Sequence, residues 1–203
     1  MSKKGKTAKT DPKVIRQRQV LFGGALLLLA VLLSIALVSY FYHWKADYSS
    51  LGAFTDKTVV AKNLLNKSGA LVSHFFIYEG VGFASVLFPY LLLLSGFQLF
   101  FNRGNKRFAS NWAWGIAHIL WLSIALGYLF PNQPLYSGIL GYEINLFLNT
   151  YIGSIGILGG LFFFFLCFLV IELEWTPEKM RSWLNRVLIQ KKNTNAAEEE
   201  VSE

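Results

Sequence analysis

Charge is scarce in this 203-residue chain: Asp, Glu, Lys and Arg make up 15% of it, against 54% hydrophobic and 16% aromatic residues. An ordinary soluble domain carries roughly 25% charged residues, so a monomeric soluble globule is excluded. The scarcity is also clustered. No charged side chain occurs from Gln19 to Trp44, from Gly80 to Asn102, from Phe108 to Tyr142 or from Ile144 to Ile171. Each window reaches the roughly 20 apolar residues that a helix needs to cross the hydrocarbon core. Cysteine is almost absent. Cys167 is the only one and lies in the last apolar run, so an intrachain disulfide and a multi-cysteine zinc site are excluded. Catalytic signatures are lacking as well. There is no G-x-x-x-x-G-K-[ST] phosphate loop, no G-x-S-x-G elbow and no H-E-x-x-H pair. His74 and Glu79 are five apart near the start of the second apolar run, a spacing that does not support metal ligation. His118 is the one His, Asp, Glu, Lys or Arg in the central part of a run. An intramembrane ionisable residue is a functional candidate by default. With no charged partner in the other runs, His118 reads as a helix–helix hydrogen bond.

What is present reads as an all-α integral membrane protein with four transmembrane helices. The expected order is a basic tail (1–19), a first span (20–42), an outward loop with an interfacial helix (43–79) and a second span (80–101). A tight basic turn (102–107), a third span (108–130), an outward interfacial or re-entrant segment (131–150) and a fourth span (151–171) follow. An amphipathic helix (172–192) and an acidic tail (193–203) close the chain. The first span is too long for a signal-peptide core and ends in aromatics without a small-residue cleavage site. Pro89 is expected to kink the second span. With this order, fifteen Lys and Arg fall on one side of the membrane and four on the other. The positive-inside rule therefore places both termini in the cytoplasm.

Candidate sites are few. Small residues that permit close helix approach are Gly80 and Ala84 in the second span, Ala113 and Ala117 in the third, and Gly153, Gly156 and Gly160 in the fourth. The outward face offers Trp44, Asp47, Tyr48 and Glu143 for partner contact, against a reading of them as interface anchors and turn formers. Lys13, Arg16, Arg18, Arg103, Lys106 and Arg107 stand beside membrane helices, where basic residues bind anionic lipid. DNA contact by the basic tail is the less favoured alternative for the same charge.

The ordered set of Trp44-x-x-Asp47-x-Ser49, Asn63–Ala70 (NLLNKSGA), Pro89, Gly138-x-x-Gly141 and Gly153-x-x-Gly156 resembles the N-terminal membrane domain of FtsK/SpoIIIE-type DNA translocases, in a Bacteroidota-like version. The resemblance covers roughly residues 14–175. It implies a non-enzymatic anchor for a cytoplasmic hexameric ATPase that pumps double-stranded DNA through the division septum in the bacterial inner membrane. It implies divisome proteins and lipids as partners and a homo-oligomer, with DNA, ATP and magnesium engaged only by the motor. No motor sequence lies within these residues, so the chain is expected to be a piece of a longer protein or a separate anchor, and carries no cofactor of its own. The competing functions are a small four-span transporter or channel, which lacks the paired midplane charges and repeats it needs, and an integral membrane enzyme acting on lipid, which lacks an acidic or histidine cluster.

Overall fold

The computed structural model describes residues 11–102, 108–172, 179 and 181–182. The 102–107 turn, apart from Asn102, the amphipathic segment and both tails fall largely outside them. Every regular element among the described residues is helical. The chain forms two compact units, Met1–Tyr151 and Ile152–Glu203.

Helix α1, Pro12–Leu51, opens the first unit. Asp11 caps it, its carboxylate accepting the Lys13 N–H at 2.9 Å, and Pro12 takes the first helical position, where its missing N–H is not needed. Its 40 residues make a rod roughly 60 Å long, twice the hydrocarbon thickness. The helix runs on through polar residues to Leu51, well beyond the apolar run: hydropathy marks where the chain leaves lipid, and nothing in His43–Ser50 breaks a helix. Residues 52–65 form a connection without helix, and α2, Asn66–Ser73, begins at an Asn66 in the left-handed region (φ 54°).

The chain then passes through a π-helical turn, His74–Val81, and a 3-10 turn, Gly82–Val86, into α3, Leu87–Phe100. The break lies at Gly80, with non-helical φ −87° and ψ −123°, and at Gly82, with φ +66°. The break thus precedes Pro89, where the sequence predicts a kink. Pro89 sits in the first turn of α3, where a missing donor breaks no established ladder.

Helices α4, Phe108–Leu129, and α5, Pro134–Ile171, complete the architecture. Gly138 (φ +65°) and Gly153 (φ +67°) interrupt the right-handed backbone of α5, and the boundary between the two units falls beside Gly153. Four helical stretches are long and apolar enough to cross a membrane: Pro12–Leu51, Asn66–Phe100, Phe108–Leu129 and Pro134–Ile171.

The core of the first unit lies along the turns that lead into α3, with α1 on one side and α4 on the other. Leu33, Leu37, Tyr40 and Ile77 form one buried cluster, and Val81, Ala84, Leu91 and Ile119 a second, with Phe88 packed against both. Helices α1 and α3 cross on glycine. A Cβ on Gly23 lies 2.6 Å from the Phe100 nitrogen, and one on Gly96 lies 2.8 Å from Leu27 Cγ. Such backbone-level approach substitutes van der Waals contact for the hydrophobic effect that lipid cannot supply. Arg16 fastens the same end of the pair. Its guanidinium donates to the carbonyls of Leu99 (3.2 Å) and Phe100 (2.7 Å), satisfying the last turn of α3.

Candidate functional site

The two sequence motifs Trp44-x-x-Asp47-x-Ser49 and Asn63–Ala70 meet at the Leu51 end of α1. Asp47 is fully buried and its Oδ1 accepts the backbone N–H of Asn63 at 3.0 Å. The Asn63 amide donates to the Ala36 carbonyl (3.0 Å), its oxygen accepts from Leu65 N–H (3.1 Å), and the Leu64 N–H reaches Ser39 Oγ (3.0 Å). A Cβ at Gly69 would strike the Asn63 side chain, so only glycine admits this amide. Asn66 turns the chain into α2. Its side-chain oxygen accepts from Ala61 N–H (3.1 Å) and Lys67 N–H (2.9 Å), and asparagine tolerates the left-handed backbone.

The Lys67 ammonium closes the connection by donating to the carbonyls of Ala53 (2.8 Å), Phe54 (3.2 Å) and Asp56. The Asp56 carboxylate accepts from Thr58 Oγ1 (2.7 Å) and N–H (2.9 Å). These two bonds favour the ionised carboxylate and hold its pKa below the usual aspartate range. Lys67, Asp56, Thr58 and Asn66 therefore serve the backbone of the 52–65 connection.

Beside this junction stands an aromatic group. The Tyr40 hydroxyl and His74 Nδ1 share a buried hydrogen bond of 2.8 Å, and His74 Nε2 lies 3.6 Å from Glu79 Oε1. Tyr40 donating to Nδ1 leaves the imidazole proton on Nε2, toward the half-exposed carboxylate. His74 stacks on Tyr78 (5.0 Å, 14°), Tyr78 on Trp44 (6.3 Å, 23°), and the Lys45 ammonium lies 5.6 Å from the Trp44 ring centroid. Tyr48 packs against both His74 and Tyr78. No group of three His, Cys, Asp or Glu residues able to hold a metal occurs among the described residues.

A second junction joins the broken backbones. A Cβ at Gly82 lands on the Tyr136 carbonyl and 2.5 Å from Gly138 N, and one at Gly138 lands on the Gly80 carbonyl and 2.6 Å from Gly82 N. The same stretch of α5 is stitched to α4. Ser123 Oγ donates to the Ser137 carbonyl (2.7 Å), and the Asn145 amide donates to those of Ile124 (2.8 Å) and Gly141 (2.9 Å). Irregular backbone at membrane depth is tolerated where protein buries it, and here each break is covered by the other.

The structure gathers Trp44, Asp47 and Tyr48 into the first junction and leaves Glu143 exposed on α5. Of the residues expected at helix contacts, Gly80 lies in the backbone break and Ala84 is fully buried. Ala113 is exposed and Ala117 half-buried. The face of α4 that meets α3 carries Trp112, Gly115 and Ile119, with Trp112 Nε1 donating to Ser95 Oγ at 2.9 Å. In the second unit, a Cβ at Gly153, Gly159 or Gly160 meets open space within that unit, and one at Gly156 meets only Ile152 of the same helix. Lys13 and Arg18 are exposed, Arg16 is engaged with α3, and Arg103, Lys106 and Arg107 lie outside the described residues. The His118 ring bonds the Trp114 carbonyl of its own helix at 2.7 Å. Sequence reasoning quoted Asn63 only as part of a motif and missed Ser39 and Tyr40 as hydrogen-bond partners of Leu64 and His74. The available signal was polar side chains two helical turns or less inside an apolar limit, where each needs a partner.

These features define a polytopic all-helical membrane domain with glycine-mediated crossings and an ordered connection between its first two spans. Residues 16–184 match the family described as the 4TM region of DNA translocase FtsK/SpoIIIE. The chain belongs to that family. No curated protein and no solved structure matches it.

Proposed function

We propose that this chain holds an FtsK/SpoIIIE-type DNA translocase at the division septum of the bacterial cytoplasmic membrane and so links closure of the septum to chromosome segregation. The observation that carries the reading is the family match over residues 16–184. The residues suit an anchor: four helical stretches long and apolar enough to span a membrane, joined by glycine crossings. On this reading the chain itself is not an enzyme, and ATP, magnesium and DNA are handled by the motor. Both termini lie in the cytoplasm, divisome proteins meet the outward junctions, and the anchor assembles as a homo-oligomer matched to a hexameric motor.

The test is localisation. Residues 1–203 fused to a fluorescent protein are expected to form a band at mid-cell in dividing cells. A uniform membrane signal would overturn the septal address while leaving the anchor role standing.

A further inference from the structure

A furrow runs between α1 and α2. Its lining is Leu29, Leu32, Leu33 and Ala36 from α1 and Leu65, Ser68, Gly69 and Val72 from α2 or the residue before it. Both sets follow the i, i+3, i+4, i+7 spacing of one helical face. Ala36 and Gly69 are buried, whereas Leu29, Leu32 and Val72 are open to the surroundings. The single hydroxyl, Ser68 Oγ, is already bonded to the Leu65 carbonyl at 2.9 Å, so no side-chain polar group of the lining awaits a partner.

Depth identifies the surroundings. The charge-free part of α1 lies between Arg18 and Lys45. At 1.5 Å per residue, Leu32 sits roughly at its centre and Ser39 about 11 Å outward, inside a half-thickness of about 15 Å. The furrow therefore opens onto hydrocarbon. Its outward end is closed where the Asn63 amide bonds the Ala36 carbonyl, and the next residue back along the chain is the exposed Lys62. Asp47 Oδ1 bonds the Asn63 N–H and Asp56 bonds Thr58, and Lys62 makes no ion pair among the described residues. Lys62 thus presents its charge at the level where headgroups begin.

We propose that the α1–α2 furrow is a phospholipid site in the leaflet on the Leu51 side, with one acyl chain along Leu29–Ala36 and an anionic headgroup on Lys62. The full chain, purified in mild detergent and stripped of lipid by exchange, is titrated with phosphatidylglycerol or phosphatidylcholine and weighed by native mass spectrometry. One lipid per protomer is expected, with phosphatidylglycerol preferred about fivefold, the worth of one lysine near an anionic surface. Ser68→Trp fills the furrow and abolishes the adduct. Lys62→Gln keeps the adduct and loses the preference. Should Ser68→Trp not fold, Val72→Trp, at a position 42% exposed, carries the same test. The proposal is overturned if the wild-type protein takes up no stoichiometric lipid or the filled variant still binds it. It is equally overturned if Ser68→Cys cross-links two copies through the furrow, which would make a second chain the occupant.

Discussion

Asp47 and Asn63 show how a polar residue is kept in an apolar setting. A buried carboxylate is costly unless hydrogen-bonded; Asp47 Oδ1 accepts from the main chain of the residue whose side chain reaches back to Ala36, and its Oδ2 is buried without a protein partner. Asn63→Ala removes two side-chain bonds and leaves the Ala36 carbonyl and Leu65 N–H without them, so a loss of about 2–3 kcal/mol is expected. Unfolding of the purified protein in detergent measures it, and a loss below about 0.5 kcal/mol would mean that water replaces the amide. Lys67→Met tests the neighbouring device. Three carbonyls lose their shared donor, and residues 52–58 are expected to exchange amide hydrogens faster while α1 remains protected. Both motifs were visible in the sequence, yet their contact was not. It spans sixteen residues of chain, and no local pattern specifies which N–H a distant carboxylate will accept.

At the level of elements, the breaks are more informative than the helices. The four apolar stretches were legible from charge-free windows, because a membrane imposes that pattern directly. The backbone breaks were not. Gly80 reads as a small packing residue and Gly138 as part of a motif, but hydropathy carries no information on the sign of φ. The structure shows that Gly82 and Gly138 are needed twice, for a left-handed backbone and for the space of a Cβ. Gly82→Ala and Gly138→Ala should each cost about 2–5 kcal/mol, strain and overlap combined. Gly160→Ala, in helical backbone with open space around its Cβ within its unit, should stabilise by about 0.5–1 kcal/mol. Equal effects at the three positions in detergent unfolding would mean that the interlocked backbones relax freely. Pro89→Ala should change little, since that residue lies in the first turn of α3 and interrupts no ladder.

For the molecule as a whole, orientation is the property on which the anchor role depends, and it rests on charge. Fifteen of the nineteen Lys and Arg residues fall on the side of the N-terminal tail, the 102–107 turn and the C-terminal segment. The structure adds that the opposite side is ordered by its own polar groups, since Lys67 and Asp56 are spent on the 52–66 backbone. Single cysteines at Lys57 and Asn105, in a Cys167→Ala background, should react with a membrane-impermeant maleimide from opposite sides. Lys57→Cys is expected to label in intact spheroplasts and Asn105→Cys only after lysis. Labelling of both from one side would remove a span between them and break the four-span order. Labelling with the sides exchanged would keep the four spans and place the termini outside, where no cytoplasmic motor can be tethered.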